Sequence, residues 1–269
     1  MTEFGVYGDL HVSLEGHVAT AEIRRPPNNF FDLALIDGLV SAFTDLDDDD
    51  NCRSIVLCAE GKNFCAGAQF HNDGSRGGEI TAKNPDGSAR HLYDAAFDLF
   101  SCKTPVVAAI QGAAVGGGLG VACFADFRVA APEARFTANF ARLGFHHGFG
   151  LTVTLPSLVG QQKALELLYT GARIKGEEAT AIGLVDKLAP LSELRSEANA
   201  LAVEIATSAP LAVESIRKTM RGHLPNAIKA ATDHEKEEQD RLRTTDDWRE
   251  GVNAMNERRV PNFSREESI

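Results

Sequence analysis

The sequence predicts an α/β fold with a helical tail, and three features carry that prediction. Short apolar runs with strand character, at 10–23, 53–60, 105–110 and 127–139, alternate with stretches whose apolar residues recur at helical spacing. Glycine-bearing loops follow two of those strands directly, at 61–70 and 116–120. From residue 191 onward the pattern is helical throughout, with charge on one face.

The elements follow in order. Residues 10–23 read as a hairpin, HVSL and VATAEI alternating about a Glu15-Gly16 turn. RRPPNN at 24–29 breaks the pattern. Leu35, Ile36, Leu39, Val40 and Phe43 then share one face of a helix over 33–46, which runs into the acidic DLDDDDN. As a calcium loop that run fails: it has no glycine at the sixth position, and Val56 stands where the closing glutamate belongs. It reads as a solvated helix end and turn. RSIVLCAE at 53–60 is a short strand, and GKNFCAGAQF the loop after it. Residues 72–88, rich in Gly, Asp, Asn and Ser, read as a mobile surface loop. An amphipathic helix covers 90–100. PVVAAIQG is a second buried strand, the glycines begin a helix reaching about 124, and FRVAAPEARFTAN gives another strand and turn. Residues 151–170 read as one helix closed by Gly171, and 175–188 as helix, turn and strand.

With 269 residues and 43% hydrophobic composition, the chain can bury a sizeable core. A net charge of −11 argues against a general grip on nucleic acid or an anionic membrane, while leaving room for a local basic patch. Cys52, Cys58, Cys65, Cys102 and Cys123 are odd in number and lack a CxxC pair, which fits reduced thiols in a cytoplasm and neither a disulfide frame nor a zinc site. The opening MTEFGVYGDL lacks a signal-peptide pattern. The long apolar run 105–125 carries Gln111 and five glycines and stops at Asp126, so it reads as buried strand, loop and helix and not as a membrane span.

The segment AAVGGGLGVACFADF, 113–127, invites a nucleotide reading that fails. The third glycine comes one place too early for a dinucleotide fingerprint, position 140 is phenylalanine where an acid is required, and the Gly-Lys-Ser/Thr of a P-loop is absent. A helix start does fit. Its N–H groups are unpaired and carry partial positive charge, and glycine lets an oxygen approach them without a Cβ in the way. A pair of such N–H groups makes an oxyanion hole, with the second donor supplied by FCAGAQF.

NFCAGAQF together with TPVVAAIQGAAVGGGLGVACFADFRVAAPEARF resembles the crotonase, or enoyl-CoA hydratase/isomerase, superfamily. RRPPNN, VGQQKALELLYTGARIKGEEATAIGLVDKL and DDWREGVNAMNERRVPNF extend the resemblance over nearly the whole chain. It implies a crotonase-like ββα spiral core with an acyl-CoA site over 1–195. It also implies a C-terminal helical trimerisation segment over 196–269, building homotrimers or hexamers. The ligand is a coenzyme A thioester, with no metal and no permanently bound cofactor. By motif, the Ala68 and Gly117 N–H groups are the oxyanion donors. Ala66, Gln69, Phe70, Gly116, Gly120, Asn139 and Phe140 belong to the pocket, and Asn28 and Phe263 are candidates for the CoA moiety. Phe70, Phe140, Phe145 and Phe149 suggest an apolar pocket that tolerates aromatic groups.

The chain departs from the family at the chemistry. The two positions where family hydratases carry glutamates are Gly120 and Phe140, and the first-loop position often aspartate is Gln69. None can move a proton. GFHHGFG offers His146 and His147, which a mostly apolar pocket would keep neutral and able to take a proton; equally, they would serve as hydrogen-bonding residues of a tight loop. His71 is a second candidate base or a loop residue near solvent. Cys65 as nucleophile and Asp73 or Glu79 swung in from the loop have no positive support, and Glu166 reads as structural. Proton shuttling at the α-carbon, hydrolysis of a thioester or β-diketone with a histidine base, and a non-catalytic acyl-CoA-binding homologue remain open.

Overall fold

The computed structural model describes residues 2–70, 76–84 and 86–264. Its elements are β1 (Thr2–Tyr7), β2 (Leu10–Glu15), β3 (Val18–Ile23), α1 (Leu33–Asp47), β4 (Ser54–Ala59), β5 (Gln69–Phe70), β6 (Arg76–Gly77), β7 (Thr81–Lys83), β8 (Ala89–His91) and α2 (Leu92–Phe100). They continue as β9 (Val106–Ile110), β10 (Ala113–Val115), α3 (Gly117–Phe124), β11 (Phe127–Ala130), β12 (Arg135–Thr137), α4 (Leu151–Val159), α5 (Gln161–Thr170), β13 (Arg173–Lys175), α6 (Gly176–Ala181) and β14 (Lys187–Leu188). Helices α7 (Leu194–Ala206), α8 (Pro210–Arg221), α9 (Leu224–Leu242) and α10 (Asp246–Glu257) complete the chain.

The main sheet has the order β1-β2-β3-β4-β9-β11-β14, antiparallel through β3 and parallel thereafter. A smaller sheet, β10-β12-β13, stands apart from it. The period-2 pattern of the strands divides the core. Ile55, Leu57, Val106, Ala108 and Ile110 face α1, α2 and α3 in the larger cluster, while Val56, Cys58, Val107 and Ala109 face Leu194, Ala198 and Ala202 of α7. The boundary expected between 195 and 196 falls inside α7, whose first and last turns both pack on the sheet.

Several expectations are corrected. The span 151–170 is two helices, because Gly160 at φ 76° ends α4 and starts α5 at a new angle. Within 72–88 the described residues include β6 and β7, which pair with β5 before that span and β8 after it. The run 105–125 is the strand and helix expected, β9 and α3, with the short strand β10 in the loop between them. The acidic run is more than a solvated turn: Asp47 accepts hydrogen bonds from Lys103 N, Thr104 N and Thr104 Oγ1 and fixes the entry into β9. No helix among the described residues is long and apolar enough to cross a membrane.

Arg128 is the largest fully buried side chain. Its guanidinium donates to Leu184 O at 2.7 Å and Ala125 O at 2.8 Å and pairs with Asp186 at 3.0 Å, tying β11 to the segment leading into β14. Arg128→Met leaves two buried carbonyls without donors, and we expect a loss of about 3 kcal/mol in unfolding free energy, read from urea melts.

Candidate functional site

The site begins with two loops joined backbone to backbone. Cys65 N donates to Ala113 O at 2.9 Å, and Val115 N donates to Cys65 O at 3.0 Å, making a parallel bridge between Cys65 and Ala114. Glycine permits this contact. A Cβ on Gly67 would lie 2.5 Å from Val115 O and 3.8 Å from Gly117 N, and one on Gly118 would lie 2.1 Å from Cys65 O. The contact sets the loop that carries Ala68 beside the first turn of α3. The Gly117 N–H is an unpaired helix-start donor, and neither it nor the Ala68 N–H makes a backbone hydrogen bond outside the helices and strands of the described residues. Partial positive charge at the α3 N-terminus points the same way.

Both residues line a cavity of about 410 Å³. Asn28, Ala66, Gln69, Phe70, Gly116, Asn139 and Phe140 line it as well. Asn28 also holds the loop: its carbonyl accepts from Ala66 N at 2.9 Å and its Oδ1 from Asn63 at 3.0 Å. Aromatic rings form much of the wall. Phe145 stands 5.5 Å from Phe140, 6.0 Å from Phe70 and 4.6 Å from Trp248, and the Arg243 guanidinium lies 5.8 Å from the Phe145 centroid. Helix α10 supplies Met255 and Asn256, so the tail closes over the site. Among the described lining residues there is no carboxylate and no imidazole.

Gly120 lies outside the cavity wall, and the reason is Phe149. A Cβ on Gly120 would meet the Phe149 ring at 2.8 Å, so a benzene ring fills the place a glutamate would take. Phe149 holds φ 60°, is 1% exposed, and meets Phe31 edge-on at 5.6 Å. Phe263 is 41% exposed and does not line the cavity. Glu79 is exposed, and Glu166 pairs with Lys163 at 2.7 Å on the surface of α5. Burial pushes the Cys65 thiol up to about 12, which removes it as a nucleophile. His71 and Asp73 lie outside the described residues.

His146 and His147 are not in the cavity wall; they face α9. Their rings stack at 4.1 Å, and His234 is 6.0 Å from His146. Glu235, fully buried, accepts from Gly150 N, Thr152 N and Thr152 Oγ1, capping α4 from a helix remote in sequence. Because the Thr152 hydroxyl donates to Glu235, it must accept from His147, which places the proton of a neutral His147 on Nε2. His146 Nδ1 likewise donates to His147 O at 2.8 Å. Tyr93, Gln239, Phe31 and Glu235 were not marked by the sequence. Their only local signals are the start of α2, and Gly148 and Phe149 inside GFHHGFG.

Burial, then the neighbouring His146 and His234, pushes the His147 pKa down to about 3, while burial raises that of Glu235. Unfolded His147 takes a proton below about pH 6.5 and folded His147 does not, so its contribution to stability falls as the pH drops from 6.5 toward 3. Glu235 has the opposite sign, binding its proton more readily folded than unfolded. We therefore expect wild type minus His147→Asn, in urea melts from pH 7 to 5, to decline by at most about 1.4 kcal/mol per pH unit.

The geometry can be set beside known proteins. A family model described as Enoyl-CoA hydratase/isomerase matches residues 13–266. A Bacillus subtilis (strain 168) protein named "Probable enoyl-CoA hydratase" is 32% identical over 258 residues, covering 96% of this chain and 99% of that protein. The "Short-chain-enoyl-CoA hydratase" of Clostridium acetobutylicum is 31% identical, covering 91% and 93%. The crystal structure of an enoyl-CoA hydratase/isomerase from Pseudoalteromonas atlantica T6c superposes with a TM-score of 0.81 at 27% identity, covering 95% of this chain and all of that one. The chain is a member of the enoyl-CoA hydratase/isomerase family and has the crotonase fold.

Proposed function

We propose that the protein acts on an acyl-CoA thioester, holding its carbonyl oxygen between the Ala68 and Gly117 N–H groups as enolate charge develops. The observation that carries this reading is the bridged pair of loops, with both N–H groups opening into one apolar cavity. Each such donor typically contributes about 3–4 kcal/mol of transition-state stabilisation. Asn28 and the Ala66 loop are in place to receive the CoA arm. Water addition by two carboxylates is not part of the proposal, since Phe149 and Phe140 occupy the space those groups need. The hydrolysis reading loses its support with His146 and His147 turned to α9. A homologue that binds acyl-CoA without turning it over remains the second reading, favoured by the lack of carboxylate and imidazole in the described wall.

The tail favours self-association. Helix α8 buries no residue, and Leu211, Ile216 and Met220 are 79%, 63% and 69% exposed. Arg217 and Arg221 pin this helix to Asp126, the residue that ends the glycine segment.

Incubation with crotonyl-CoA should leave the enoyl absorbance intact while the thioester protects the protein against thermal unfolding. Rapid loss of absorbance without thiol release would establish hydration and overturn the reading; absence of protection would overturn the acyl-CoA assignment. Light scattering should give three or six times the 28.9 kDa chain mass, and charged substitutions at Leu211 and Met220 should shift it to one.

A further inference from the structure

Tyr93 is the one side chain among the described cavity-lining residues that carries an ionisable O–H group. It sits in the first turn of α2 and is 7% exposed. Its hydroxyl reaches in toward GFHHGFG at the middle one of that segment's three glycines: a Cβ on Gly148 would lie 2.0 Å from the Tyr93 oxygen and 2.6 Å from Gln239 Nε2. The next residue, Phe149, is the one whose ring fills the space beside Gly120. The phenol therefore enters the cavity wall next to the place a hydratase carboxylate would occupy. Gln239 is held there by its own bond from Nε2 to His146 O at 2.9 Å, and α2 begins with a capping box between His91 and Asp94, which fixes the direction of the tyrosine.

We infer that Tyr93 is the proton-transfer group of this site, delivering a proton to the α-carbon of the enolate held by Ala68 and Gly117. This rests on the acyl-CoA reading above. The phenolic O–H bond breaks, a C–H bond forms at the α-carbon with the electron pair of the enolate, and the thioester carbonyl is restored. In reverse, the phenolate removes an α-proton and the electron pair moves onto the thioester oxygen. No further reactant enters. Phenols titrate near pH 10, so the resting side chain carries the proton it gives. Gly148 is glycine because the hydroxyl needs that space.

The reverse step is measurable without knowing the natural substrate. Phenylacetyl-CoA is incubated with the protein in D₂O, and deuterium entering the α-carbon is followed by mass spectrometry. Binding is read separately from Trp248, the single tryptophan, whose ring is 5.1 Å from that of Phe70 in the cavity wall. The wild type should bind and exchange, at a rate that rises with pH as phenolate forms. Tyr93→Phe should bind within threefold of wild type and exchange at least about 100-fold more slowly. Should that variant fold poorly, global replacement of the three tyrosines by 3-fluorotyrosine, which lowers the phenol pKa, should shift the pH profile of the folded protein downward. Binding without exchange, exchange by Tyr93→Phe within threefold of wild type, or an unmoved profile overturns the role of Tyr93. Absence of binding instead overturns the acyl-CoA reading and this inference with it.

Discussion

Two loops in this protein meet with no side chain between them. Cys65 N donates to Ala113 O and Val115 N donates to Cys65 O across the contact, and the approach is possible only because positions 67 and 118 carry no Cβ. Everything at the site depends on that approach. It closes β10 onto the loop after β4 and brings the first turn of α3 and Ala68 to the wall of one cavity. A single methyl at 118 would stand 2.1 Å from a carbonyl oxygen that is itself part of the bridge, so relief would have to come from moving the donors apart. The constraint acts on the backbone, so it holds whatever side chains line the cavity.

The cavity below those donors is unusual in charge more than in shape. Phe140 stands in the wall, and the Phe149 ring lies against Gly120. The histidines that would replace the acids belong to a different network, in which Glu235 caps α4 and Thr152 passes the hydrogen bond on to His147. A low-dielectric cavity strengthens the attraction between an enolate oxygen and the two N–H groups, and equally raises the cost of any unpaired charge near it. The same apolar wall thus favours stabilisation of a charge on the substrate over provision of one by the protein. A neutral proton donor is the kind of group such a wall tolerates.

How much could be read beforehand follows the range of the interactions. The hairpin, the helix over 33–46 and the strands at 54–59 and 106–110 were legible because their side-chain periodicity reports burial locally. The meeting of Ala68 and Gly117 at one cavity was legible because the family motifs and the glycines after the strands constrain backbone geometry. The smaller sheet was not, since three-residue strands carry no period, and the break at Gly160 was hidden by good helix formers on either side. Tyr93 and Glu235 were invisible for another reason. Tyr93 reaches Gly148 across 55 residues, and Glu235 caps a helix 85 residues before it; only the packing of α2 against α9 brings them there. The same packing turned His146 and His147 away from the cavity that the sequence had offered them.

Gly120 and Phe149 are better understood as one feature than as two departures from a pattern. Phe149 keeps a left-handed backbone at φ 60°, a conformation that costs a non-glycine residue about 1 kcal/mol or more. It is held there because the flanking Gly148 and Gly150 let the loop turn tightly, and because the ring finds a fitted seat between Phe31 and the bare Cα of Gly120. The missing side chain at Gly120 leaves the seat, and filling it compensates the backbone at 149. The Cβ of a carboxylate residue placed at 120 would meet the ring at 2.8 Å, so the ring would have to leave its seat before that side chain could reach the cavity.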